Sequence, residues 1–123
     1  MPNSGDTVLV VEDEAIIRWN IVDALEDAGF KVLEAENVIE AVAILGAVPD
    51  IKAVFTDVDM PGPQDGLDLA RTVSTRRPGV KILVASGRHR PANSDLPEQS
   101  RFFPKPYNCA TVIANLTEML SAA

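Results

Sequence analysis

Residues 7–14 read Thr7-Val8-Leu9-Val10-Val11-Glu12-Asp13-Glu14, a short β-branched run that leads directly into three acidic residues. A continuous apolar run of this length is typical of a strand that is buried on both faces of a parallel sheet. Residues 15–28 follow, and the apolar side chains at helical spacing there are Ile17, Ile21, Ala24, Leu25 and Ala28. A buried strand that leads into a helix predicts an α/β fold, with the acidic residues at the carboxyl end of the strand.

The same alternation of strand and helix continues along the chain. Further strands are predicted at residues 31–35, 53–56, 81–85 and 101–103, and further helices after Asn37, over residues 66–76 and at the C-terminal end. Asn37, with Glu40 three residues later, indicates a capping box. Residues 88–100 break the alternation, because Pro91 and Pro97 interrupt a segment with few apolar residues. We therefore expect a parallel sheet with helices on both faces and a fourth helix that is short or absent.

Length and composition restrict the classes of protein that fit this chain. With 123 residues, 46% of them hydrophobic, it has the size and composition of one domain, expected over residues 1–123 with a core at about 7–120. No apolar run approaches the ~20 residues of a membrane helix. The lone Cys109 fits a reducing compartment, and the net charge of −7 argues against direct binding to nucleic acid. We expect a cytoplasmic protein that binds neither membrane nor nucleic acid directly.

Polar residues follow the predicted strands at the point where each strand ends. Strand one ends in Glu12-Asp13, strand three in Asp57, strand four in Ser86 and strand five in Lys105. In a parallel sheet these groups converge on one edge. Clustered carboxylates repel unless a cation holds them, and oxygen ligands without histidine or cysteine suit Mg²⁺ or Mn²⁺. With Lys105 and Ser86 opposite, the cluster can cradle a phosphoryl group, and Asp57 is then either a metal ligand or the nucleophile.

Together these residues resemble the pattern of a response-regulator receiver domain of bacterial two-component signalling. The matching motifs span nearly the whole chain and are, in order, Glu12-Asp13, Asp57, Met60-Pro61 with Gly66, Ser86-Gly87 and Lys105-Pro106. The resemblance implies a flavodoxin-like, doubly wound, five-stranded parallel sheet of strand order 2-1-3-4-5. It also implies a cis peptide bond between Lys105 and Pro106.

The resemblance further implies a reaction and a metal site. Asp57 would accept a phosphoryl group from a phosphohistidine donor in a reaction that depends on Mg²⁺, with Mn²⁺ as a possible substitute. Asp13 and Asp57 would bind the metal directly, the backbone carbonyl of Asp59 would be the third protein ligand, and Glu12 would act through a water. The carboxylate of Asp59 either tunes metal affinity and phosphate lifetime or has no role.

The resemblance also implies a conformational switch formed by Ser86 and Phe102. Lys105 would stabilise the phosphoryl oxygens, while Ser86 moves toward the aspartyl phosphate. Phe102, three residues before the lysine, would swing inward with Ser86, unless it is simply a core residue. The covalent step would thereby change a surface that a partner reads.

The expected partners are a histidine kinase or a histidine phosphotransfer protein, and a downstream target protein that the sequence leaves unknown. Trp19 projects away from the apolar face of the first helix, and Tyr107-Asn108 follow Lys105-Pro106, so these three residues are the candidates for partner docking. Partial cover by neighbouring side chains is the alternative for Trp19. The initial methionine and short polar ends favour a free-standing protein over a segment of a hybrid kinase.

Two other functions compete with the phosphoacceptor hypothesis. Asp57-Val58-Asp59 after an apolar strand resembles the nucleophile motif of haloacid-dehalogenase-type phosphatases, in which the second aspartate is a general acid. Those enzymes carry the motif on their first core strand and usually need a longer chain. A receiver-like docking protein that is not phosphorylated is the other alternative.

We expect no enzyme activity beyond self-catalysed phosphotransfer and dephosphorylation. For His89 we expect a solvated surface role.

Overall fold

The computed structural model describes residues 5–87 and 96–121. Five strands and four helices lie in this part of the chain, in the order β1 (Thr7–Val11), α1 (Ala15–Asp27), β2 (Lys31–Ala35), α2 (Val38–Ala47), β3 (Ile51–Asp57), α3 (Gly66–Arg76), β4 (Lys81–Ser86), β5 (Arg101–Pro104) and α4 (Cys109–Ser121). All strand pairs are parallel, and the sheet order is β2-β1-β3-β4-β5. The predicted flavodoxin-like topology is confirmed.

The strand order fixes where a site can form. The chain runs from β1 outward to β2 and then returns to place β3 on the other side of β1. The loops after β1 and β3 therefore diverge to opposite faces of the sheet and leave a crevice at the carboxyl ends of these two strands. Asp57 is the last residue of β3, and Glu12 is the first residue after β1.

Both faces of the sheet are covered by helices. Along β1, Val8 and Val10 belong to the apolar cluster on the α1/α4 side, while Leu9 and Val11 belong to the cluster on the α2/α3 side. All four side chains are at most 1% exposed. Burial on both faces is the physical reason for the unbroken β-branched run in the sequence, because neither face of the strand meets water.

The buried face of α1 differs from the predicted one. Its buried residues are Arg18, Ile21, Val22 and Leu25. Ile17, Ala24 and Ala28, which the helical spacing assigned to the apolar face, are half-buried. The sheet packs against a face turned by about one position, which Arg18 can share because its guanidinium has polar partners within the protein.

Side-chain caps set the starts of two helices. Asn37 Oδ1 accepts a hydrogen bond from Glu40 N at 2.8 Å, as predicted, but the Glu40 carboxylate accepts from Glu36 N and leaves the box incomplete. A complete capping box, which the sequence analysis missed, opens α3: Asp65 Oδ1 accepts from Asp68 N at 3.0 Å, and Asp68 Oδ2 accepts from Asp65 N at 2.9 Å.

The connection between β4 and β5 is described in part. Residues 96–100 contain no helix. Residues 88–95, with His89 and Pro91, lie outside the described residues, so the short or absent helix between β4 and β5 and the surface role of His89 stay predictions. Within the described ranges, no helix combines the length and apolar character that crossing a bilayer requires.

Gly66, the first residue of α3, lies where the helix passes closest to the end of β3. Its N–H donates to Val58 O at 2.9 Å, and a Cβ at this position would lie 1.9 Å from the carbonyl oxygen of Asp57. We predict that Gly66→Ala lowers the free energy of unfolding by about 2–3 kcal/mol, because main chain must move to admit the methyl group. Urea denaturation followed by circular dichroism measures this change.

Gly46 in α2 provides the matched control. A Cβ there would have no atom within 4 Å, so Gly46→Ala is expected to stabilise the protein by up to ~1 kcal/mol through helix propensity. Similar stability changes in the two variants would contradict the close-approach argument.

Candidate functional site

A cleft of about 570 Å³ opens at the carboxyl edge of the sheet. Its walls include Asp13 from the end of β1, Asp57 and Asp59 from the end of β3, Gly87 after β4 and Lys105 after β5. The groups that the sequence placed at four different strand ends are therefore brought together, because all the strands run in the same direction.

Three carboxylates meet at this edge. Glu12, Asp13 and Asp57 each offer one oxygen atom, and these oxygens lie within 4.8 Å of one another. Glu12 and Asp57 are 4% and 5% exposed, whereas Asp13 is exposed. Carboxylate oxygens without nitrogen or sulfur donors are the ligand set of a hard divalent cation, so these three residues could hold one.

Among the described residues that line the cleft, Lys105 carries the positive charge. Its Nζ lies 2.8 Å from Glu12 Oε1 and 3.2 Å from Asp57 Oδ1. The Lys105–Pro106 peptide bond is cis, as the resemblance implies, and Lys105 N donates to Ser86 O at 2.9 Å. Asp57 Oδ1 is buried and, among the described residues, has no hydrogen-bond partner; the ammonium group is its charge partner.

Burial dominates the electrostatics of the cleft. Burial, together with the negative charge of Glu12, raises the pKa of Asp57 to about 6 against the opposing effect of Lys105. The pKa of Glu12 is also raised by burial, despite its hydrogen bond with Lys105. Burial alone would lower the pKa of Lys105, but the hydrogen bond with Glu12 and the charge of Asp57 outweigh it and raise that pKa. The charged forms of Glu12 and Asp57 are therefore destabilised mainly by the loss of water around them.

Ser86 is directed at a neighbouring carboxylate. The residue is 2% exposed, and its Oγ donates a hydrogen bond to Asp59 Oδ2 at 3.0 Å. The Asp59 charge also contributes to the raised pKa of Asp57. The side chain of Asp59 thus has a contact that the sequence analysis missed, while the metal-ligand role of its backbone carbonyl stays a prediction.

Phe102 lies on β5, on the opposite side of the sheet from the tightly packed Phe103. It is half-buried against the apolar cluster of the α2/α3 side. Phe103 is buried and makes an edge-to-face contact with Phe55, with ring centroids 6.3 Å apart. The switch role of Phe102 stays a prediction.

The three residues predicted for docking have different surroundings. Trp19 is 56% exposed on α1. Tyr107 is half-buried, with its ring edge-to-face on Phe55 at 5.2 Å, and burial raises the pKa of its hydroxyl. Asn108 Oδ1 accepts hydrogen bonds from the backbone N–H groups of Ala110 (2.8 Å) and Thr111 (3.3 Å), so its side chain caps α4.

A second, largely apolar cavity of about 350 Å³ lies beside the cleft. Its lining residues are Ile17, Asn20, Lys105, Pro106, Tyr107 and Cys109. Of the predicted docking residues it includes Tyr107, and it adds Ile17 and Asn20 from α1, which the sequence analysis missed. The signal was their i, i+3 spacing, which places them on one side of α1.

Arg18 was also missed. Counting three, four and seven positions along α1 from Arg18 reaches Ile21, Val22 and Leu25, all of which are buried. A charged residue in line with an apolar stripe is the sequence signal for a buried charge with partners.

The burial of Asp57 leads to a testable dependence of stability on pH. Its pKa of about 6 in the folded protein exceeds the ordinary value of 3.8, so between these values the folded state binds more protons than the unfolded state. Stability therefore falls as pH rises through this window and stays lower above it. In buffer with EDTA, Asp57→Asn should raise the free energy of unfolding at pH 7 by about 1–2 kcal/mol and by much less at pH 4.

Urea denaturation at the two pH values measures this difference. Asp50→Asn, which changes an exposed carboxylate in the turn before β3, is the control and should have little effect at either pH. A gain for Asp57→Asn that is the same at pH 4 and pH 7 would contradict a cause in the burial of the charge.

Two proteins of known family are similar in sequence to this chain. The chain is 38% identical over 120 residues to the sensor kinase CckA of Brucella abortus, which matches 93% of this chain and 12% of CckA. It is 32% identical over 119 residues to the response regulator receiver protein CpdR of the same organism, which covers 94% of this chain and 98% of CpdR. The chain therefore spans a small part of one relative and nearly all of the other.

Solved structures show the same fold. The crystal structure of a response regulator receiver protein from Sinorhizobium medicae superimposes with a TM-score of 0.89 at 30% identity and covers 96% of each chain. The family model of the response regulator receiver domain matches residues 8–114, which include the acidic cluster, Ser86 and Lys105. The chain belongs to the response regulator receiver domain family.

Proposed function

We propose that Asp57 accepts a phosphoryl group from a phosphohistidine donor in a Mg²⁺-dependent reaction, and that the domain signals through a changed surface. The observation that carries this proposal is the position of Asp57 Oδ1, which is buried, without a hydrogen-bond partner among the described residues, and 3.2 Å from Lys105 Nζ. With a pKa of about 6 the carboxylate is largely ionised at pH 7 and available as a nucleophile.

Lys105 acts on the phosphoryl group that is transferred, and Glu12 holds Lys105. An Asp57 oxygen bonds to phosphorus while the phosphorus–nitrogen bond of the donor breaks, and the donor imidazole, protonated by solvent on its other ring nitrogen, leaves in its neutral form. The Lys105 ammonium neutralises charge on the phosphoryl oxygens. Glu12, at 2.8 Å from Lys105 Nζ, holds the ammonium in place for this role. The self-catalysed step requires no other protein group as a base.

The carboxylate cluster fits a magnesium ion. Asp13 and Asp57 would bind it directly, with the backbone carbonyl of Asp59, and Glu12 would act through a water; Mn²⁺ would suit the same donors. When bound, the cation offsets the charge of the carboxylates and of the phosphoryl oxygens. The three carboxylate oxygens of Glu12, Asp13 and Asp57 that lie within 4.8 Å of one another support this assignment.

Ser86 and Phe102 form the proposed switch. A phosphoryl group on Asp57 adds negative charge next to Asp59, whose carboxylate now accepts the Ser86 hydroxyl. Ser86 would turn from Asp59 to a phosphoryl oxygen, and Phe102, which is half-buried, would move inward with it. Burial of Ser86 keeps water from competing for its hydroxyl in either position.

The proposed donor is a histidine kinase or a histidine phosphotransfer protein, and the target is a protein that binds the changed surface. One relative is named a sensor kinase and the other a response regulator receiver protein, so this receiver domain, with its core at residues 7–120, fits either a fused or a free-standing setting. We further propose a cytoplasmic location, with no direct contact to nucleic acid or membrane.

The alternative functions have less support. Asp59 accepts a hydrogen bond from Ser86. Asp57 ends the third strand along the chain, whereas haloacid-dehalogenase-type phosphatases carry the motif on their first core strand. A receiver-like docking protein that is not phosphorylated would have no use for the contacts among Glu12, Lys105 and Asp57.

Phosphorylation by a small donor tests the central proposal. With Mg²⁺ and acetyl phosphate, the protein should acquire an acid-stable, hydroxylamine-sensitive phosphate. Asp57→Asn should abolish labelling because it removes the nucleophile, and Asp13→Ala should weaken Mg²⁺ binding more than about tenfold because it removes a direct ligand. Asp50→Asn is the exposed-carboxylate control. Equal labelling of Asp57→Asn, measured by mass spectrometry, would refute the assignment.

Donor docking is tested at Trp19. An exposed aromatic anchor contributes ~2 kcal/mol or more to an interface, so Trp19→Ala should slow phosphotransfer from the cognate phosphohistidine protein by about tenfold or more. Labelling by acetyl phosphate should hardly change, because a small donor needs no docking surface. Ile39→Ala, which shortens another exposed apolar side chain (74% exposed) on α2, should affect neither reaction. Loss of both reactions in Trp19→Ala would indicate a structural role.

A further inference from the structure

Arg18 is a buried cation beside the acidic cluster that the proposed reaction does not use. The residue is 8% exposed on α1. Its Nη1 donates a hydrogen bond to the backbone carbonyl of Glu12 at 2.8 Å, and its Nε donates to Glu34 Oε1 on β2 at 3.0 Å. Glu36 Oε1 lies 3.9 Å from Nη1. One guanidinium thus connects α1, the end of β1 and the end of β2.

The carbonyl that Arg18 holds is part of the peptide bond between Glu12 and Asp13. A peptide unit is planar, so the direction of this carbonyl sets the course of the chain through both residues and the places from which their carboxylates extend. The sheet holds the preceding peptide, because Glu12 N donates to Ala35 O at 3.0 Å. Arg18 supplies the corresponding bond one peptide later, where the sheet has ended.

The effect of this bond extends to the nucleophile. Glu12 Oε2 accepts from Glu14 N at 3.1 Å, and Glu12 Oε1 lies 2.8 Å from Lys105 Nζ, which is 3.2 Å from Asp57 Oδ1. A rotation of the Glu12–Asp13 peptide would move a carboxylate on each side of it and release Lys105 from its position.

We propose that Arg18 is a positioning residue for the cation site: it fixes the peptide plane between Glu12 and Asp13 and so sets the geometry of the carboxylates. This inference rests on the proposed function, because it assumes that these carboxylates hold Mg²⁺. Arg18 acts through the backbone of Glu12 and does not contact the cation itself.

Positioning and charge have opposite effects on cation affinity. If Arg18 acted by its charge alone, removing it would leave the cluster more negative and tighten Mg²⁺ binding. If it positions the ligands, removing it weakens Mg²⁺ binding even though a repelling charge has been lost. The direction of the change therefore separates the two roles.

The test is Mg²⁺ titration of the wild type and three variants by calorimetry, at a temperature where thermal unfolding shows each to be folded. Arg18→Met, which keeps much of the side-chain volume, should weaken Mg²⁺ binding roughly tenfold. Arg18→Lys keeps the charge but cannot reach two acceptors with a planar fork, so we expect about threefold weakening. Arg71→Met removes an exposed arginine that pairs with Asp68 on α3 and should change affinity less than about twofold.

A second readout needs no metal. The carbonyl carbon of Glu12, followed by NMR in EDTA, should move upfield in Arg18→Met as the charge-assisted hydrogen bond is lost, and should stay in place in Arg71→Met. If Arg18→Met does not fold, Arg18→Lys decides, because a charge-only role leaves its Mg²⁺ affinity unchanged. Unchanged or tighter binding in the Arg18 variants would overturn the inference alone. Failure of the wild type to bind Mg²⁺ would overturn the proposed function and this inference with it.

Discussion

The burial of carboxylates at the ends of two adjacent parallel strands is the constraint on which the site depends. β1 and β3 are neighbours at the centre of the sheet, and helices cover both of their faces. Glu12 and Asp57, at the ends of these strands, are therefore buried and shielded from water. Charges in such a place need counter-charges. Lys105 supplies one from the end of β5, and Arg18 of α1 stabilises the backbone carbonyl of Glu12 by a hydrogen bond. Burying these carboxylates therefore lowers the stability of the fold, although the proposed chemistry requires them at this position. Such a conflict is typical of functional sites.

Most of the fold could be predicted from the sequence because its signals are local. The β-branched run of β1 and the helix over residues 66–76 indicate their own conformations, and repeated βα units permit few topologies. The convergence of Asp13, Asp57 and Lys105 follows from parallel strands alone, without any knowledge of side-chain packing.

Several features that the sequence analysis missed depend on contacts between elements. The buried face of α1 includes Arg18 because of the way the helix packs against the sheet. A helical wheel contains no information on that packing. The cap that Asn108 forms on α4 is a local contact, and the docking role of this residue stays a prediction. The bond from Ser86 to Asp59 joins residues 27 positions apart and has no sequence signal.

The four polar contacts of Glu12 have a consequence for the thermodynamics of ligand binding. Its N–H, its carbonyl and both carboxylate oxygens each have a partner, from Ala35, Arg18, Lys105 and the N–H of Glu14. The conformational entropy of this side chain is therefore lost when the protein folds, and little remains to be lost when a ligand arrives. The entropy cost of ordering Glu12, which would otherwise reduce affinity, is therefore met when the protein folds, and the site is preorganised at this residue.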